Sequence, residues 1–472
     1  MTYAFTFDAS ACTGCMDCTA ACQTSNQLPT GVMWRRTYKV AVDGWIPAND
    51  KDFSYSLSLA CNHCAHPKCA GVCPADAYLI RADGIVSIDR SKCMGCGYCS
   101  WACPYGAPQF NPVRGQMTKC DFCSDQLNAG LPPACVTACS QKALGFVELT
   151  GADVSPEFKR LWELHASEHP YPLPKTSRTQ PHLALKPHAA MTADHEKRII
   201  NCEEVKSKRP GGEVFLIFFT LLTQMAVGGF WAAQWMFDPF WNLVEFDARL
   251  FRLIPYWVIG LCLCLGGLAS LSHLGAKRNA WRALAHLRKS WLSREILYLG
   301  LFSAGWLVSI STLSMGALSF ARIFTCILGA VLIYGMAQVY HLQSMPAWNH
   351  WRTTAGFFLT TALLGLVLML VILSVESLLT GVFAAMLFPA GVTAVLLAGE
   401  LGLSISAQKK NVRTVGRLRA GMIAAVLAGL GILFRSSGLV GVWLPSSIFL
   451  LVMLGEVIER RAFYEVLHHR VL

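Results

Sequence analysis

CMGCGYCSWACP, residues 93–104, sets four cysteines at gaps of two, two and three residues and closes on a proline. Spacing that tight crowds three thiolates around one centre. It is the arrangement that wraps three sulfurs around an iron-sulfur cube and turns the fourth toward a second cube. Cys12, Cys15, Cys18 and Cys22 repeat it. Cys61, Cys64, Cys69 and Cys73, followed by Pro74, widen one gap to four residues, and Cys120, Cys123, Cys135 and Cys139 widen that gap to eleven. A loop inserted at one gap leaves the ligand set intact. Because the fourth cysteine of a run serves a neighbouring cube, ligands can be assigned only once the runs are paired in space, and spacing alone does not fix that pairing. A tetrahedral zinc site normally takes two close pairs separated by a longer stretch, which three cysteines at two-residue gaps do not supply.

Outward from these runs the chain divides into three. Residues 1–150 hold the sixteen cysteines among short segments and turns, with the alternating IVSID of 85–89 reading as a strand. Residues 151–212 are polar and rich in Pro and His, the composition of a partly helical connector draped over the first domain. Residues 213–472 carry apolar runs at about 213–237, 254–274, 295–314, 319–342, 354–376, 381–403, 417–435 and 439–458. Each is long enough to cross a bilayer as a helix. With 54% hydrophobic and 15% charged residues, the 472-residue chain is too apolar for an ordinary soluble protein. The expected architecture is an α+β ferredoxin-like polyferredoxin domain followed by an all-α eight-helix transmembrane bundle.

The net charge of +11 does not point to nucleic acid, because the basic residues flank apolar runs instead of lining one soluble face. Twenty Lys and Arg fall in the stretches on the cysteine-domain side, against Arg249, Arg252, Arg322 and Arg435 opposite. The positive-inside rule then puts the cysteine domain in the cytoplasm, with the chain multi-pass in a bacterial inner membrane. No cleavable targeting signal is visible at the N-terminus.

The runs CTGCMDCTAAC, CNHCAHPKCAGVC, CMGCGYCSWACPYG and CDFCSDQLNAGLPPACVTAC, in this order, resemble the iron-sulfur subunit of the dimethyl sulfoxide reductase family of molybdenum enzyme complexes. The stretches EVFLIFFTLLTQMAVGGFW, SHLGAKRNAWRALAHLRKSWLSREI, MPAWNHWRTTAGFFLT and GEVIERRAFYEVLHH resemble its membrane anchor, so the likeness covers nearly the whole chain. The departure is the fusion of two normally separate subunits. The resemblance implies four 4Fe-4S clusters, held by Cys12, Cys15 and Cys18 with Cys139; Cys120, Cys123 and Cys135 with Cys22; Cys61, Cys64 and Cys69 with Cys103; and Cys93, Cys96 and Cys99 with Cys73. Relatives with Trp at the third cysteine of the third run hold a three-iron cluster; Cys99 keeps a four-iron one here. The resemblance also implies a periplasmic cysteine domain, against the charge count.

Quinol oxidation releases two protons with two electrons, so its site needs a base and a carboxylate near the ring oxygens. His273 ends the second apolar run and Glu295 opens the third, on the cysteine-domain side, and the family anchors use a His and a Glu matching these positions. The plain alternative is an interfacial histidine and an acid favoured at a helix N-terminus. The other membrane-half histidines lie in loops or at helix ends, so no haem is expected.

The expected function is that of the non-catalytic subunit of a quinol-dependent molybdenum oxidoreductase. It oxidises menaquinol or another quinol from the pool and passes the electrons to a separate molybdopterin-containing catalytic subunit, with membrane lipid as its other partner. Reverse flow from an oxidising molybdenum enzyme to quinone is the alternative. A membrane-bound iron-sulfur sensor or an ion-translocating module is the reading from another class, and the few mid-bilayer acids argue against a pump.

Overall fold

The computed structural model describes residues 2–42, 54–149, 179–186, 188, 199–202, 212–234, 249–311, 320–380, 390–393, 395–396, 423, 425–426, 428–429 and 440–465. In the N-terminal half, strand β1 (Thr2–Asp8) lies between β8 (Leu144–Leu149), antiparallel, and β9 (Leu183–Lys186), parallel. A second sheet runs in the order β10 (Ile199–Cys202), β2 (Arg36–Val42), β3 (Ser54–Leu59), all antiparallel. Two hairpins, β4 (Tyr78–Ile80) with β5 (Val86–Ile88) and β6 (Gln109–Asn111) with β7 (Gln116–Thr118), complete the strands. The strand expected at 85–89 is β5. In the connector, the described residues include two strands, β9 and β10, one in each sheet, where a partly helical segment was expected. The LALK of β9 is apolar enough for Leu183, Ala184 and Leu185 to be buried beside β1.

Five short helices lie among the cysteine runs: α1 (Asp17–Ser25), α2 (Lys68–Val72), α3 (Tyr98–Ala102), α4 (Ser124–Asn128) and α5 (Ala134–Thr137). The first core gathers around Phe5 and Phe122, whose rings stack at 4.0 Å. Burying each such side chain stabilises the domain by roughly 1.5–3 kcal/mol.

The membrane half contributes long helices α6 (Gly212–Ala232), α7 (Arg249–Ser272), α8 (Trp291–Ser311), α9 (Phe320–Tyr340), α10 (Trp351–Thr380) and α11 (Val440–Glu465), with a 3-10 segment at Lys277–Leu284. Among the described residues, four stretches, Glu213–Ala232, Leu253–Ser272, Phe320–Tyr340 and Trp351–Val375, are long and apolar enough to span a membrane. The less apolar α8 carries Arg294 and Glu295, and α11 carries Glu456, Glu459, Arg460 and Arg461. The expected runs at 381–403 and 417–435 lie outside the described residues except for a few positions. Small residues let the helices approach: a Cβ on Gly228 of α6 would stand 1.9 Å from the Thr361 carbonyl oxygen of α10. Without a hydrophobic drive between helices in lipid, such close packing is what holds them together.

The halves interlock. Tyr98 and Ala102 of α3 are buried in the core of the helix bundle, while Leu274 and Ala283, from the connection between α7 and α8, are buried with Cys73, Cys93 and Cys99. Gly95, Gly115 and Gly275 meet backbone to backbone, and a Cβ on Gly275 would come within 2.0 Å of the Gly115 carbonyl oxygen.

Candidate electron-transfer and quinol sites

Each cysteine run builds the same local device. The residue before its second cysteine has positive φ in all four: Gly14 (76°), His63 (43°), Gly95 (72°) and Phe122 (66°). Glycine adopts this conformation freely, whereas for a histidine or a phenylalanine it is uncommon and must be held by packing. Phe122 is fully buried, with the His63 ring edge-on at 5.2 Å, so the two strained residues brace each other. Spacing did not reveal this turn, although glycine at the same place in runs one and three was its signal.

After the turn a short helix carries the third cysteine, and the fourth follows one helical turn later. In α1, Cys18 and Cys22 lie four residues apart on one face. Cys135 and Cys139 do the same at α5, which packs against α1, and Cys69 with Cys73 at α2 mirrors Cys99 with Cys103 at α3, which packs against it. Each helix therefore hands its fourth cysteine to its partner's group.

Cys12, Cys15, Cys18 and Cys139 line one cavity, Cys73, Cys93, Cys96 and Cys99 a second, and Cys61, Cys64, Cys69 and Cys103 a third. The remaining four also face one another: Cys22 feels Cys135 and Cys123, and Cys120 feels Cys22 and Cys135. The Asn26 amide reaches both Cys22 Sγ (3.8 Å) and Cys123 Sγ (3.9 Å). The structure thus brings the sixteen cysteines together in four groups.

Burial pushes the Cys22 and Cys96 thiols up to about 12, and Cys64 well above its ordinary value, with neighbouring sulfurs adding to the rise. Bare thiols so placed stay protonated at neutral pH. Four converging sulfurs in an apolar cavity are a soft donor set that suits iron in a cluster. Backbone amides of Ala77, Phe122 and Leu144 each point at a sulfur, of Cys73, Cys120 and Cys139, at 3.4 Å, the hydrogen bonding that tunes such a group.

On the membrane side, the N-terminus of α8 docks beneath the Cys73 turn. Ser290 Oγ donates to the Val72 carbonyl at 2.7 Å, Ser293 Oγ to that of Pro74 at 3.3 Å, and His286 Nδ1 lies 2.9 Å from that of Cys73. Two residues past Ser293, Glu295 is 3% exposed. Its carboxyl shares its field with Tyr98 of α3, Tyr340 at the end of α9 and Tyr464 near the end of α11. The Tyr340 and Tyr464 hydroxyls hydrogen-bond to each other, and Tyr98 donates to the Val339 carbonyl at 2.8 Å. Beyond them Arg460 donates to Gln224 Oε1 at 2.8 Å and lies 3.9 Å over the Phe357 ring, and Thr360 donates to the buried Glu456 at 2.9 Å.

Buried polar groups therefore cluster near Glu295 and continue into the bundle. The three phenols and Arg460 were not singled out from sequence, because a lone Tyr in an apolar run reads as packing. His273 is half-buried at the end of α7, next to Leu274, which packs among the cysteines of the second cavity. Glu295 and His273 thus belong to two different elements that dock against one cysteine group, Cys73/Cys93/Cys96/Cys99.

The family model of the DMSO reductase anchor subunit matches residues 211–466, and that of the 4Fe-4S dicluster domain residues 53–149. The chain belongs to the DMSO reductase anchor subunit family. Its N-terminal part is 40% identical over 209 residues to a polypeptide of the anaerobic dimethyl sulfoxide reductase of Escherichia coli K12, covering 43% of this chain and 98% of that protein. It is also 40% identical to the formate dehydrogenase iron-sulfur subunit of Wolinella succinogenes (30% of this chain, 78% of that one) and 42% identical to a subunit of the tetrathionate reductase of Salmonella typhimurium (29% and 54%). A 4Fe-4S electron-transfer subunit and a membrane-integral anchor are here one polypeptide.

Proposed function

We propose that this chain oxidises a quinol, menaquinol or a related one, beside Glu295 and His273, and delivers the electrons through four 4Fe-4S clusters to a separate molybdopterin-containing oxidoreductase. The observation that carries the reading is the juxtaposition at α3. Tyr98 approaches the buried Glu295 carboxyl while its neighbours Cys96 and Cys99 line the second cavity. A proton acceptor and an electron acceptor are thereby held on the two sides of one short helix.

Clusters bound to the four cysteine groups would each take up and pass on one electron. Glu295 accepts a quinol proton, and His273, at the mouth of the same interface, accepts the other or orients the ring. Tyr340, Tyr464 and Tyr98 hold the carboxyl away from water, and the tyrosine pair offers a hydroxyl relay toward Arg460. Eight crossings are proposed for the anchor. The apolar runs 381–403 and 417–435 are proposed as two of them, an even number that agrees with α10 starting and α11 ending at the cysteine domain. The Lys and Arg bias favours a cytoplasmic cysteine domain; a reporter fused after Leu472 that is active only in the periplasm overturns that orientation.

Low-temperature EPR of the detergent-extracted complex, titrated with and without a quinol-analogue inhibitor, tests the main reading. Signals integrating to four clusters per chain, one perturbed by inhibitor and by Glu295→Gln, are expected. An indifferent spectrum overturns the site. Similarity to a formate dehydrogenase subunit favours the reverse flow as a second reading, and cluster midpoints below that of the quinone pool would select it.

A further inference from the structure

Gathering sixteen cysteine sulfurs in an apolar interior concentrates negative charge, and two buried cations stand within it. Arg35, 2% exposed, directly precedes β2. Its Nη1 donates to Ser58 Oγ at 3.2 Å and its guanidinium covers the Phe5 ring at 4.5 Å, while Nε and Nη2 are buried without a hydrogen-bond partner. The sulfurs in its field are Cys135, Cys120, Cys18 and Cys22, which belong to two groups. Lys119, 4% exposed, donates to the carbonyls of Val86 and Cys120, and the sulfurs in its field are Cys61, Cys69 and Cys120, again from two groups. Among the described residues neither cation forms a salt bridge to a carboxylate.

The Asp121 carboxyl also shares the field of Lys119, and a buried cation without a counter-charge is strongly unfavourable, so both positions make physical sense beside anionic neighbours. The group Cys73/Cys93/Cys96/Cys99 differs. The charged or titratable side chains facing it include Asp76 and Tyr78, and neither Arg35 nor Lys119 is among them.

We propose that Arg35 and Lys119 are the fixed counter-charges of two of the three junctions of the electron path, those farther from the membrane half. Arg35 stands between the Cys12/Cys15/Cys18/Cys139 and Cys22/Cys120/Cys123/Cys135 groups, and Lys119 between the latter and Cys61/Cys64/Cys69/Cys103. Each makes its neighbouring clusters easier to reduce. Reduction adds an electron to an already anionic centre, so a nearby cation in low dielectric stabilises the reduced form more than the oxidised one. Both are positioning residues, since neither holds iron. The inference rests on the four-cluster reading, which spin integration of the wild-type complex tests separately.

The deciding experiment is an EPR redox titration of the full complex, with signals assigned by single Cys→Ser substitutions. Arg35→Gln is expected to lower the equilibrium constant for reduction by roughly tenfold, about 59 mV for a one-electron couple, at the two groups containing Cys18 and Cys22 alone. Lys119→Gln should do the same at the groups containing Cys22 and Cys61, with the Cys73 group unmoved in both. Arg35→Lys should keep wild-type midpoints. Unchanged midpoints in either Gln variant, an equal shift at all four groups, or an Arg35→Lys shift as large as that of Arg35→Gln overturns the proposal. Should Arg35→Gln assemble without clusters, Lys119→Gln decides by the same criteria.

Discussion

The α1/α5 and α2/α3 helix pairs are built alike and end in different surroundings. At α1/α5, Cys15 is exposed, Cys12 and Cys139 are half-buried, and Arg35 sits within reach. At α2/α3, Cys69, Cys73, Cys93, Cys99 and Cys103 are all buried, and α3 pushes Tyr98 into the helix bundle. One local framework has thus been specialised at its two ends, one sealed against a membrane anchor and one left at the surface, where the proposed function needs a partner to dock.

The largest effect is expected from removing a ligand at the sealed end. Cys96→Ser should delete or convert one cluster and abolish quinol-driven electron transfer, while clusters at the α1/α5 end still reduce with dithionite. Iron content and EPR of the purified complex check this, and a variant that keeps four cubane signals and quinol activity would break the assignment. Next comes Glu295→Gln. Removing a group that accepts a proton typically costs about 10²–10⁴-fold, and quinol-dependent turnover should fall by at least the lower figure. Activity with an artificial donor to the clusters should hold at wild-type level, and parallel loss of both activities would make Glu295 structural.

The two ends also differed in how much the sequence disclosed. Three of the four cysteines of each group fall in one run, within sixteen residues or fewer, so gaps of two and three announce the metal directly. Which run closes which group depends on α1 meeting α5 and α2 meeting α3, a tertiary event that spacing does not encode; it came from resemblance. Glu295 and His273 could be singled out as candidates because ionisable residues at the ends of apolar runs stand out. Tyr98, Tyr340, Tyr464 and Arg460 come from three elements far apart in sequence and become a site only when α3, α9 and α11 converge. The strands β9 and β10 were hidden because Pro and His around them read as linker, while their hydrogen-bonding partners lie more than 140 residues upstream.

A medium effect is expected where the sealed end meets the membrane half. Gly275→Ala places a methyl within 2.0 Å of the Gly115 carbonyl oxygen, a backbone atom that cannot swing aside. Overpacking of this kind costs about 1–3 kcal/mol. The complex should lose thermal stability in detergent, with the EPR signals of the Cys73 group broadened and those of the α1/α5 end unchanged. An unaffected melting curve would mean that the two halves dock less closely than the glycine contacts require.

The smallest effect belongs to the open end. Asp8 closes β1 and pairs with Lys186 of β9 at 2.9 Å, tying a connector strand to the sheet that leads into Cys12. Burial pushes the Asp8 carboxyl up, but the Lys186 ammonium and the Ser10 amide outweigh it and hold the carboxyl below its ordinary value. A carboxyl depressed in the folded state stabilises it above the unfolded pKa, and that contribution fades as pH falls through the folded pKa, here below about pH 4. Both partners are partly solvated, so screening limits the pair to about 0.2–1 kcal/mol. Asp8→Asn should therefore cost less than about 1 kcal/mol at pH 7, and progressively less as the pH is lowered through the folded pKa, in denaturant melts of the complex. A loss as large as that of Gly275→Ala would show that β9 anchors the open end as firmly as the glycine contacts anchor the sealed one, and the asymmetry between the two ends would then be one of exposure and charge alone.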